Sequence, residues 1–255
     1  MNATSTNSPH TNNIRIGTAA WTLPRQHAPA FPVEGSHLQR YAEHLTCVEI
    51  NSSFHRPHMR KTWERWAATT PPHFRFSVKL PKTITHTARL NNTGALLQTF
   101  LDQASGLGPK LGPVLMQLPP SLAFDPGLAH EFLTTLRELH PAEAPSQNLA
   151  ALEPRHASWF TSAADRLLRD FAIARVAADP PKGSPLAATP GGLPHLRYFR
   201  LHGAPRTYYS DYDTHALTEL ATQLRAPHPE TWVIFDNTAL GHATANALEL
   251  QQLLR

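Results

Sequence analysis

Cysteine is nearly absent. Cys47 is the single one, so no intramolecular disulfide can form and a cysteine-built metal site is excluded. A reducing cytoplasm is the simplest compartment for such a chain. Long apolar runs are missing too: no stretch approaches the roughly 20 residues needed to span a bilayer. The opening residues 1–13 are rich in Ser, Thr and Asn, lack the apolar core of a secretory signal, and read as a flexible leader before a single domain over 14–255. Charge is sparse at 16%, with 23 basic against 19 acidic residues, a net of +4 and no basic tract, so composition does not mark a nucleic-acid binder. The phosphate-cradling patterns Gly-x-Gly-x-x-Gly and Gly-x-x-x-x-Gly-Lys-Ser/Thr are absent, as is the Gly-x-Ser-x-Gly elbow of serine hydrolases.

What remains is an apolar content of 41% and 24 prolines that fall mainly between periodic segments, in a chain of 255 residues. That length suits one barrel or one large α/β domain. Strands are predicted at 14–18, 47–51, 74–80, 114–118, 149–153, 172–177, 197–202 and 232–236. Helices are predicted from Ser36 onward and over 61–69, 94–107, 126–139, 163–170, 214–224 and 244–254. Strands alternating with helices favour parallel crossovers, and eight of them suit a TIM-like (β/α)8 barrel, with a doubly wound open sheet as the alternative. Between strands six and seven a long Pro- and Gly-rich stretch shows no full helix, so that connection is expected to be irregular. The glycine-rich run 106–112 precedes strand four, at the end of a barrel opposite its ligand-binding mouth.

Alternate residues of a barrel strand point inward. That parity gathers Glu49 and Asn51, Ser77 and Lys79, Gln117, Glu153 and Arg155, Arg175 and Asp179, Arg200 and His202, and Asp236 near one mouth. Two readings stay open: an internal ion-pair network of Glu49, Lys79, Glu153 and Arg200 that fills the upper barrel, or a pocket in which several of these touch a ligand. The loops favour the pocket. Arg56 follows strand two, His156 and Trp159 follow strand five, Arg206 and Tyr208 follow strand seven, and Trp21 follows strand one as a pocket wall or as packing.

Glu49 and Glu153 come from separate strands and could divide general acid and base roles, with Lys79, His202 and Asp236 as further catalytic candidates. Arg155 and Arg200 offer two-pronged hydrogen bonds to a carboxylate or phosphate. The expected partner is therefore a polar or anionic small molecule. No motif calls for a cofactor. A divalent metal on Glu49, Glu153, Asp179, His202 and Asp236 is a secondary option, because no His-x-His or His-Glu-x-x-His signature supports it. A hydrolase or lyase leads. The alternative is a noncatalytic binder of an anionic metabolite or a nucleic-acid segment, motivated by Arg56, Arg155, Arg200 and Arg206.

Six separated runs carry a family resemblance: 15–19 with Trp21, 48–54, 74–79, 115–120, 153–156 with Trp159, and 235–238. In this order they resemble the DUF72, or YecE-like, family. The resemblance implies a TIM-like barrel with a polar cavity and a family without an established activity. It implies Glu49, Asn51, Lys79, Gln117, Glu153, Arg155, His156, His202, Asp236 and Asn237 as pocket residues. Ala20 stands where many relatives resemble a glycine before the tryptophan.

Overall fold

Short β-prone runs form the strands and amphipathic segments form the helices in the computed structural model, which describes residues 13–142, 148–228 and 230–255. The strands are β1 (Ile14–Thr18), β2 (Cys47–Ile50), β3 (Arg75–Lys79), β4 (Leu111–Gln117), β5 (Ala150–Glu153), β6 (Ala174–Arg175), β7 (Ala177–Asp179), β8 (Gly191–Gly192), β9 (Arg197–Leu201) and β10 (Thr231–Phe235). The helices are α1 (His37–Ala42), α2 (Ser52–His55), α3 (Arg60–Ala68), α4 (Gly94–Ala104), α5 (Pro126–Leu139), α6 (Ser162–Asp170), α7 (Thr214–Leu224) and α8 (His242–Leu253). The leader expected over residues 1–13 lies outside the described residues, apart from Asn13, whose carbonyl accepts from the N–H of Thr231.

The strands lie in two sheets, ordered β1-β10-β9-β7 and β2-β3-β4-β5-β6-β8. Every pair is parallel except β6 with β8. Two seams join them into a barrel-like arrangement without one continuous hydrogen-bonded ring. At the first, Ala19 bridges Glu49, and the Ala20 N–H donates to the Glu49 carbonyl at 2.9 Å. At the second, one stretch of chain changes partner: β6 pairs with β5, while β7, one residue later, pairs with β9. The sixth strand expected at 172–177 is thus two pieces flanking Val176 and ends at Asp179.

The interior is packed by Ala19, Cys47, Leu115, Ala151, Val176, Tyr198, Trp232 and Ile234. The opposite faces of the strands pack against the helices around Phe76, Val114, Leu152 and Phe199. Close approach dictates glycine at Gly112, where a Cβ would lie 2.6 Å from the Trp232 ring. This explains why β4 begins at Leu111, earlier than its Gly-Pro sequence suggests: both residues disfavour a strand interior, yet the barrel needs the missing side chain there. Helix α1 starts where expected, with Ser36 accepting from the Gln39 N–H and Gln39 capping Ser36 in return.

After β7 the chain makes a short turn at Pro185–Ala188 and the small β8 pair, with no crossover helix. The outer face there is left as a groove of about 290 Å³ whose lining includes Ala177, Phe199, Leu201, Leu217 and Leu220. Among the described residues no helix is long and apolar enough to cross a membrane.

Candidate functional site

At the C-terminal ends of the strands, Arg200 of β9 organises the polar residues. Its Nη2 and Nε donate to Oε1 and Oε2 of Glu49 at 2.7 and 3.0 Å. Nη1 donates to Oε2 of Glu153 at 2.5 Å, and Nη2 also reaches Oδ2 of Asp236 at 2.9 Å. Neither Arg200 nor Glu49 is exposed. Glu153 receives further hydrogen bonds from Gln117 Nε2 at 3.0 and 3.1 Å and from Arg155 Nε at 3.0 Å. The Glu49 carboxylate also lies 2.8 Å from the Tyr198 hydroxyl, which stands 2.7 Å from Ser77.

His202 continues the network. Its Nδ1 is 3.0 Å from Asp236 Oδ2 and its Nε2 is 3.3 Å from Glu153 Oε1. Burial opposes its charge, but Glu153 and the hydrogen bonds to both acids prevail and raise its pKa above the ordinary histidine value. For Glu153, burial pushes the carboxyl up, yet Arg200, His202 and Arg155 hold it well below the ordinary range. Asp236 is lowered in the same way, burial being outweighed by Arg200 and His202. Glu153, held as a carboxylate, is unsuited to donate a proton as a general acid.

Glu49, Glu153 and Asp236 make their direct contacts with Arg200, Arg155 and His202. Lys79 stands outside these contacts. At the end of β3 the residue is only 8% exposed, its Nζ stands 4.3 Å from the centre of the Phe54 ring, and it makes no side-chain hydrogen bond or ion pair to any described residue. Burial, followed by repulsion from Arg200, lowers its pKa from 10.5 to about 8 despite Glu49, Glu153 and Asp236. The Lys79 backbone is fixed, since Ser53 Oγ donates to its carbonyl at 2.7 Å. Nearby, His86 stacks edge-on against Phe54, and its pKa is lowered by burial and by the charges of Lys79 and Arg155.

The ion-pair reading of the sequence thus holds for Glu49, Glu153 and Arg200, while Lys79 stands apart from it. Glu49, Lys79, Gln117, Glu153, Arg155, Arg200, His202 and Asp236 come together, and Tyr208 stands edge-on to His202 at 5.8 Å and against Arg155. Other candidates lie elsewhere. Arg175 and Asp179 have the opposite parity, because Ala174 and Val176 occupy the interior. Arg175 points toward Asp165 and Phe160, and Asp179 accepts from the Tyr212 hydroxyl at 2.6 Å beside the outer groove. Trp159 is buried, donates to the Leu122 carbonyl at 3.0 Å and packs on Phe124. His156 caps a short turn by accepting from the Ser158 N–H at 3.2 Å. Asn237 ties β10 to α8 through Asn246 Oδ1 at 2.8 Å. Arg206 is exposed and stacks on Tyr209. Trp21, Asn51 and exposed Arg56 share a separate side pocket of about 250 Å³ with Trp66 and His58.

Tyr198 is the addition, while Phe54, the aromatic of the loop after strand two, takes its place under Lys79. Tyr198 shares parity with Arg200 and His202, so the pattern that found those two also contained it; Phe54 sits on a loop helix, where strand parity gives no guide. The acids' oxygens are directed to Arg200, so a divalent cation would have to displace the guanidinium. Among the described residues no group of three or more His, Cys, Asp and Glu side chains has metal-holding geometry.

Comparison with known proteins places these features in a family. The family model for DUF72, described as a protein of unknown function, matches residues 15–255. The UPF0759 protein YecE of Escherichia coli K12 is 32% identical over 149 residues, 58% of this chain and 50% of its own, so the match spans about half the length of that curated relative. A crystal structure of a DUF72 family protein from Thermotoga maritima MSB8 has a TM-score of 0.75 at 26% identity, covering 94% of this chain and 98% of the other. One from Enterococcus faecalis V583 has a TM-score of 0.77 at 22% identity, covering 94% and 95%, and carries the likeness of fold.

Proposed function

The chain belongs to the DUF72 family of unknown function, and on that premise we propose that its strand-end mouth is an enzyme site, of lyase or hydrolase type, for a small anionic molecule. One observation carries this reading: Lys79 is nearly buried, yet its Nζ makes no hydrogen bond or ion pair to any described residue, the carboxylates of Glu49, Glu153 and Asp236 acting on it only from beyond contact. A buried cation without a direct partner is costly, and a substrate oxyanion would supply one. Arg155, whose charge reaches His86 as that of Lys79 does, and Tyr208 beside it would orient the anion. Glu49, Glu153, Asp236 and Arg200 act as frame, holding His202 and Arg155 in place. With its single cysteine buried, such an enzyme suits the cytoplasm.

The test is calorimetric titration of the protein with phosphate, sulfate and a panel of small mono- and dicarboxylates, repeated with Lys79→Met and Arg155→Met. Saturable binding of at least one anion, weakened ten-fold or more by Lys79→Met, is expected. Binding unchanged in Lys79→Met, or no binding across the panel, overturns the reading. Binding without turnover of the bound compound in a subsequent assay would favour the noncatalytic alternative. For that alternative Arg200 is no longer a contact, since its guanidinium is spent on three carboxylates.

A further inference from the structure

Resting on that anion-site reading, we infer that Lys79 is a nucleophilic amine that forms an imine with a small oxo compound bearing a carboxylate or phosphate near its carbonyl.

The inference begins with what the other lysines do. Lys61, Lys82 and Lys182 are exposed, where a hydrated ammonium is the stable form. Lys110 is half-buried, but its Nζ donates to the carbonyls of Ala67 at 2.6 Å and Thr70 at 2.5 Å and to the Thr70 hydroxyl at 3.1 Å. Its nitrogen is engaged. Lys79 alone combines burial with the absence of any acceptor among the described residues, and Phe54 supports its Nζ through a ring face rather than a lone pair. Ser53 holds the backbone behind it. Position matters as well, because the strand ends of a barrel are where reacting groups from several strands meet.

The chemistry balances without a further reactant. The unprotonated Nζ adds its lone pair to the carbonyl carbon, and the carbonyl π pair moves to oxygen, which takes a proton from water while the nitrogen returns one of its own to that water. The neutral carbinolamine then passes its remaining nitrogen proton, through water, to the hydroxyl, which leaves as water and leaves a C=N bond to Lys79. Nothing is oxidised or reduced. A depressed lysine pKa, here about 8, places a useful fraction of free amine at neutral pH. The acidic group on the substrate follows from charge: once protonated, the imine restores the positive charge at Lys79, and an anion beside it gives that charge the direct partner that Glu49, Glu153 and Asp236, in contact with Arg200, do not.

The experiment treats the full chain with pyruvate, glyoxylate and dihydroxyacetone phosphate in separate arms, each with cyanoborohydride, followed by mass spectrometry of the intact protein and of its peptides. The expected result is one reduced adduct per chain in at least one arm, on the peptide containing Lys79, at least ten-fold above the peptides of Lys61, Lys82 and Lys182. It should be lost in Lys79→Met, with Lys79→Gln as the substitute should that variant fail to fold. The carboxylate and phosphate arms decide between the two anion sources. An adduct spread evenly over the exposed lysines, or none in any arm, overturns the imine. In parallel, sulfate and oxalate, which form no imine, are titrated against the same protein. Their binding without an adduct refutes the imine while leaving the anion site standing; failure of both removes the two together.

Discussion

Arg200 grips Glu49 across the line where the two sheets meet. The arginine belongs to the four-stranded sheet and the glutamate to the six-stranded one, and two hydrogen bonds of 2.7 and 3.0 Å join them with neither side chain exposed. The same guanidinium reaches Glu153, on the six-stranded sheet beside the other seam. One side chain therefore fastens both sheets from the inside.

Arg200→Met should destabilise the fold by roughly 3–5 kcal/mol, the cost of leaving buried carboxylates without their partner. Arg200→Lys should recover little of it, because an ammonium cannot reproduce the fork that meets Glu49 and Glu153 together. Urea unfolding of both variants checks this; a loss under 1 kcal/mol for Arg200→Met would show that the clasp is not needed.

Lys79→Met should do the opposite and stabilise the protein. The lysine pKa falls from 10.5 unfolded to about 8 folded, a span worth roughly 3–4 kcal/mol at about 1.4 kcal/mol per unit. Because the folded form holds its proton less tightly, the penalty is complete below pH 8, shrinks as pH rises, and is gone above 10.5. Melting of wild type and variant across that window should show the variant's advantage closing with rising pH, and a constant difference would contradict it.

His202 works with the reverse sign. Its folded pKa is raised by Glu153 and Asp236 against the effect of burial, so its stabilisation is complete below the unfolded value of 6.5 and is lost as pH climbs through the folded one. His202→Gln should therefore cost most near pH 6 and least in alkali. In NMR titration His202 should lose its proton at higher pH than His86 and His140, whose pKa values are lowered by burial.

Ala20→Gly should raise stability by about 1 kcal/mol. Ala20 has φ of 70°, a left-handed conformation that costs a residue with a Cβ roughly 1–2 kcal/mol, while glycine gives back part of that gain through its greater unfolded-state freedom. A melting temperature unchanged or lowered by the substitution would refute the strain.

Much of this was legible in the sequence because strand parity is a local property. Glu49, Lys79, Gln117, Glu153, Arg200, His202 and Asp236 follow from alternation alone once each strand is in phase. Arg175 and Asp179 were misplaced because the sixth strand is short and its phase is set by Ala174 and Val176 packing inward, which small, weakly apolar residues do not announce. Trp159, His156 and Asn237 sit in loops, where the choice between a ligand and a neighbouring backbone depends on folding of distant segments. The separation of Lys79 from the ion-pair network was beyond sequence, since charge counting gives the inventory but not which acid each base reaches.

The broken sixth strand also decides which side chains reach the mouth. Deleting Val176 would shift the register that follows by one and carry Asp179 into the position of Ala178, opposite Arg200 in the parallel pair of β7 with β9. That fourth acid would join the three carboxylates already gathered on Arg200 and make the mouth more negative by one charge. The electrostatic character of this mouth is thus decided less by which charged residues the chain contains than by the reading of one short strand, where a single-residue slip brings in or leaves out a carboxylate.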